Sequence, residues 1–177
     1  MIEGDPLVPG ASALAEAKEY LRVSAGEEDA LIGRALASAA ELCEAFTGEI
    51  LVARDFRETL PASGAWTRLG RRPVRAITMV ESLSGGAALP LGAGDYAIDI
   101  DTSGAGWVRA TAPEARQLRV VYSCGLAAEW AGVPEPLRHG ILRLAAHLYT
   151  YRSEAEDRGP PAAVTALWRP FRRMRIA

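Results

Sequence analysis

The sequence predicts an α+β fold: a helical bundle formed by the N- and C-terminal helices, with an inserted antiparallel β-rich subdomain. Two observations carry this expectation. Apolar residues recur at helical spacing before residue 50, alternate with polar ones from about 50 to 125, and return to helical spacing beyond 126. Glycine and proline cluster in the middle stretch, in "LPASGAW", "SGGAALPLGAGD" and "DTSGAG", as tight turns between short strands require. Helical ends around a stranded middle pack most economically by closing on each other. The expected parts are an N-terminal helical part (1–49), the β-rich subdomain (50–125), a C-terminal helical part packing on the first (126–167) and a docking tail (168–177).

"SALAEAKEYLRV" reads as the first helix, with Ser12 as its N-cap and Leu14, Ala17 and Leu21 along one face. In "GEEDALIGRALASAAELCEAFTG", Glu27, Glu28 and Asp29 suit the positive end of a helix dipole. Leu31, Ile32, Ala35, Leu36, Ala39, Leu42, Cys43 and Phe46 then form an alanine-rich stripe, and Gly48 ends the helix. "ILVARDFRETL" places Ile50, Val52, Phe56 and Leu60 on one face of a strand and Asp55, Arg57 and Thr59 on the other. "RRPVRAITMVESL", "DYAIDID", "GWVRAT" and "QLRVVYSCG" supply four more strands, pointing to an antiparallel sheet or small sandwich. "VPEPLRHGILRLAAHLYTYRSE" opens a helix on Pro134 and Pro136 and carries Leu137, Ile141, Leu144, Ala145 and Leu148 as its stripe. A short helix in "AAVTALWRPF" stops or kinks at Pro170.

With 177 residues, 49% hydrophobic and 24% charged, the composition is that of a globular chain. A chain this long can bury roughly 70% of its unfolded surface. No apolar run approaches the ~20 residues that span a bilayer, so no membrane role is expected. "MIEGDPLVPG" lacks the basic and then apolar stretches of a signal peptide, which places the chain in the cytoplasm. There Cys43 and Cys124 are expected to be buried thiols. The formal charge of -2 is unevenly spread: the first 50 residues set ten acids against Lys18, Arg22 and Arg34. An acidic and a basic end suit head-to-tail contact between copies, or two different partners.

Candidates for catalysis are thin. His139 and His147 lie ~80° apart and two turns distant on one helix, too far to share a metal. "DIDTSGAGWVRA" starts like a calcium loop but has Ala110 where the bidentate glutamate belongs, so a hairpin turn is expected. Asp55, Glu58, Asp95 and Asp99 read as the wet faces of strands. No catalytic residue, metal or cofactor is assigned, and the chain is not expected to be an enzyme.

The tail is the sharper feature. Trp168, Arg169, Phe171, Arg172, Arg173, Arg175 and Ile176 combine aromatic and arginine side chains with no acid among the last ten residues. These are the residue types enriched in interface hot spots, so docking to a protein is favoured. The alternative is a small nucleic-acid-binding protein using the arginine-rich tail.

The two ends together resemble the head–tail connector (adaptor) proteins of long-tailed bacteriophages and phage-derived gene-transfer particles. The resemblance lies in Leu21-Arg22 before the acidic loop Glu27-Glu28-Asp29, then a long alanine-rich helix closing on Phe46-Thr47-Gly48. It continues in Val133-Pro134 before a helix, in His147-Leu148-Tyr149 followed by Tyr151-Arg152, and in the closing "FRRMRI". The middle is similar to the longer branch of that family through Arg72-Pro73, Asp95-Tyr96, and Tyr122, Cys124 and Gly125. The resemblance implies a homo-oligomeric ring, dodecameric in the family, in the neck of a virion assembled in a bacterial cytoplasm. The ring would sit below the portal protein, carry a stopper or tail completion protein, and pass double-stranded DNA without sequence-specific binding. It implies portal docking by the tail residues named above, and a ring interface drawn from Glu27, Glu28, Asp29, Arg34, Glu41, Arg143 and Arg152.

Overall fold

The structure is a computed structural model that describes residues 1–24, 26–84, 87–111, 116–151 and 160–172. The α+β class is as expected, and the chain divides into two compact units. One comprises Leu7–Leu51 and Ala127–Ala177, the other Met1–Pro6 and Val52–Leu126.

The helical unit contains α1 (Ala11–Leu21), α2 (Asp29–Thr47), α3 (Glu135–Thr150) and α4 (Ala162–Trp168). Helix α1 starts two residues earlier than its sequence predicts: Gly10, not Ser12, is the N-cap, and its carbonyl accepts from Leu14 N at 3.1 Å. It buries Ala13 and Ala17, one turn apart, and such small residues allow close approach to a neighbour. Helix α2 buries Ile32, Leu36, Ala39, Ala40, Cys43 and Thr47. Leu42, expected in that stripe, is 42% exposed. It precedes Cys43 by one residue and so points about 100° away from it. Gly48 closes the helix at φ 75°, a left-handed conformation that glycine adopts without steric cost.

Trp168 departs furthest from the sequence expectation. It was assigned to the docking tail, yet it is fully buried. It lies one helical turn after buried Val164, on the inward face of α4. A Cβ at Gly140 of α3 would come within 2.2 Å of the indole Nε1, so only glycine leaves room for the ring. The indole N–H points at the Leu137 carbonyl, 3.4 Å away, and the ring tilts against Phe46 at 5.9 Å between centroids. Polar ties join the other helices. The Trp130 indole N–H donates to Glu16 at 2.6 Å, and the Tyr149 hydroxyl donates to Glu28 at 2.5 Å.

The strand unit holds two antiparallel sheets. The larger has the order β1 (Ile2–Gly4), β2 (Arg54–Pro61), β8 (Gln117–Cys124), β4 (Val74–Ser84) and β5 (Ala87–Pro90). The smaller has the order β3 (Thr67–Arg68), β7 (Gly106–Ala110) and β6 (Tyr96–Ile100). The five expected strands are β2, β4, β6, β7 and β8. Strand β1 is a correction: the opening residues, grouped with the helices by sequence, pair with β2 as Ile2↔Glu58 and Gly4↔Phe56. The inner face of the larger sheet carries Phe56, Leu118, Val120, Tyr122 and Cys124. Glu58 shares that face and is 5% exposed, not on the wet side as its residue type suggested. Its carboxylate accepts from the Tyr122 hydroxyl at 2.7 Å and from Gly70 N at 2.9 Å, which meets the cost of burial. Burial, and then the Glu58 hydrogen bond, push the Tyr122 hydroxyl well above its ordinary pKa.

The stretch with calcium-loop character is the β6–β7 hairpin turn. The Asp101 carboxylate accepts from Ser103 N at 2.8 Å, Ser103 Oγ at 2.6 Å, Ala105 N at 3.1 Å and the Trp107 indole N–H at 3.0 Å. These bonds, led by the Ser103 hydroxyl, hold Asp101 well below the usual carboxylate range. Both cysteines are buried thiols. Burial, then the Glu58 charge, push Cys124 up to about 12. Burial, then Glu44, push Cys43 higher still.

Three outcomes are expected. Trp168→Ala should cost about 3–5 kcal/mol, and Gly140→Ala about 1–3 kcal/mol by overpacking, both read from urea denaturation followed by helical circular dichroism. Asp101 has a folded pKa below its unfolded one. Its contribution is therefore present above the ordinary carboxylate range and is lost as pH falls through the folded value. Asp101→Asn should lower the urea midpoint at neutral pH, and its deficit should close in acid. Neither cysteine should react with a thiol reagent at mildly alkaline pH until denaturant is added, because protonated buried thiols are poor nucleophiles.

Candidate functional site

Helix α4 runs into a 3-10 turn, Arg169–Phe171. Arg169 and Arg172 are exposed and Phe171 is half-buried. The Arg172 guanidinium lies over the Phe46 ring at 5.5 Å, a cation–π contact that holds the chain to α2 as it leaves the core. Arg173, Arg175 and Ile176 lie outside the described residues, as does Arg152.

The acids after α1 divide. Glu27 is exposed. Glu28 accepts from Tyr149, and Asp29 pairs with Lys18 at 2.5 Å. The two therefore tie the start of α2 to α3 and α1 within their own unit. Further along, Arg34 and Glu41 stand exposed on α2 and Arg143 on α3. Glu41 and Leu42, about 100° apart around the helix, are both exposed, so the outer ridge of α2 offers a carboxylate and an apolar side chain to solvent.

A second surface, in the strand unit, escaped the sequence reading. The register Arg68↔Trp107↔Asp99 and Arg109↔Ala97 puts these residues on one face of the small sheet, opposite buried Val108 and Ala110. The Arg109 guanidinium stacks on Trp66 at 4.9 Å, and Trp66 is 43% exposed. The Nε of Arg109 is shielded from solvent and makes no hydrogen bond. The outward set was legible as the alternation of Trp107 and Arg109 with Val108 and Ala110. Its neighbour Trp66 sits in a stretch read only as a gap between strands.

His139 and His147 are both half-buried, each against a tyrosine ring: Tyr20 at 6.2 Å and Tyr151 at 4.8 Å. Among the described residues, no three His, Cys, Asp or Glu side chains converge as a metal site, and no helix is long and apolar enough to cross a membrane.

No protein-family model matches the sequence, and no curated protein matches it. Solved structures do. The chain is similar to one from the neck of an empty gene transfer agent (GTA) particle computed with C6 symmetry, with a TM-score of 0.81 and 26% identity. It is also similar to chains from the virion of a native GTA particle and from the neck of a native GTA particle computed with C12 symmetry, each with a TM-score of 0.79 and 26% identity. In all three the likeness covers 100% of this chain and 97% of the other, so it takes in both units from end to end.

Proposed function

We propose that this chain is a structural, non-enzymatic component of a particle neck: an adaptor that forms a ring below the portal, extends the DNA channel and seats the stopper or tail completion protein. The observation that carries this reading is the end-to-end likeness to a GTA neck chain at 26% identity. A match confined to a helix pair or a small sheet would not carry it. The C6 and C12 symmetry of the solved necks supports a ring, with twelve copies as the working number. The formal charge of -2 suits a channel, because many phosphate contacts would retard passing DNA.

The docking arm begins after the core, with Arg169, Phe171 and Arg172 at its root and Arg173, Arg175 and Ile176 beyond. Trp168 anchors the arm to its own subunit. Deleting residues 173–177 should leave the helical circular dichroism unchanged and abolish capture of the portal protein by the tagged chain in lysates of particle-producing cells. Full portal capture by the truncated chain would remove the arm from the reading. A steep salt dependence of duplex-DNA binding that flattens in Arg172→Ala with Arg173→Ala would favour the nucleic-acid alternative instead.

A further inference from the structure

The outward face of the small sheet carries two guanidiniums, Arg68 and Arg109, and one carboxylate, Asp99. Among the described residues, neither Arg68 nor Arg109 has an acidic partner. The Nε of Arg109 is dry and without a hydrogen-bond partner, while its guanidinium plane rests on Trp66. Trp66 beside it keeps 43% of its surface exposed. Tryptophan and arginine together are the composition of an interface hot spot.

The complementary chemistry occurs on α2. Among the described residues Glu41 is exposed and forms no ion pair, and Leu42 next to it is 42% exposed. Ser38 and Ala45, one turn to either side, are small and exposed, so the ridge is open to a flat partner.

We propose that the Trp66–Arg68–Arg109 face receives the Glu41–Leu42 ridge of a second copy of this chain, with Leu42 against the indole and the Glu41 carboxylate between the two guanidiniums. This contact rests on the ring reading above and names the surfaces that close the ring. It joins two different surfaces, so each copy can engage two others, and a heterologous contact of this kind closes into a ring when the rotation fits. DNA is the poorer occupant. A duplex backbone offers nothing apolar to the half-exposed Trp66, whereas the α2 ridge brings Leu42 with its carboxylate.

The test uses particles made in the native host. Ala45→Cys with Ala65→Cys sets one thiol at the rim of each surface and leaves the anchors in place, while Cys43 and Cys124 stay buried. A short bismaleimide should join the doubly substituted chains into a ladder of dimers and higher multimers, and should join neither single variant. Arg109→Glu should lower the amount of chain retained in necks about tenfold, and Glu41→Arg in the same chain should restore it. Two results overturn the contact while leaving the ring reading intact: no ladder from chains that remain in the neck, or Arg109→Glu chains retained in full. A loss that Glu41→Arg does not restore, with weakened binding of purified Arg109→Glu to duplex DNA, would make this a nucleic-acid surface and also overturn it. If the unsubstituted chain is absent from necks, the ring reading itself fails.

Discussion

Where α4 meets α3, an indole lies against helix backbone with no side chain between them. Helix α4 has seven residues, too few to persist alone in water. It is held by what it buries, Val164 and above all Trp168. A glycine inside a helix carries a cost of about 1 kcal/mol relative to alanine. Burying an aromatic ring of 150–250 Å² contributes several times that, so Gly140 is a net gain only because Trp168 fills the space it leaves. Phe46 brings the end of α2 into the same contact, and Arg172 then caps Phe46. Residues 169–172 are therefore held at a point fixed by three helices.

The strand unit uses a polar device for a similar end. Glu58 reaches inward from β2 and is met by Tyr122 of β8 and by the backbone of Gly70, in the chain between β3 and β4. Three segments distant in sequence are thereby held to one carboxylate. Glu81 is a second buried carboxylate, 7% exposed, and it pairs with Arg119 at 2.6 Å. In both cases a buried carboxylate deprived of its donors would be costly.

The helices and the longer strands were legible because each repeats its period several times: Ile32, Leu36, Ala39 and Cys43 in α2, or Leu118, Val120, Tyr122 and Cys124 in β8. Strands β1, β3 and β5 were not, since two to four residues hold no period, and β1 reads as an acidic, glycine-bearing leader. Glu58 occupies an inward position with an outward residue type, and only its distant partners explain it. The two candidate surfaces failed in opposite directions. Trp168 looked like an anchor for another protein because arginines follow it, but its partner is a glycine 28 positions earlier, invisible to local pattern. Trp66 and Arg109 meet only through the pairing of β3 with β7.

The pairing of β1 with β2 bears on how this architecture can be exchanged between relatives. The stranded half looks like a cassette running from Val52 to Leu126, but one of its edge strands is encoded upstream of it, ahead of α1 and α2. A recombination event that moved the cassette alone would deliver a sheet whose β2 edge is bare, a template for pairing between chains. Shuffling of this unit is therefore constrained to carry the opening hexapeptide with it, or to find another strand to cover that edge.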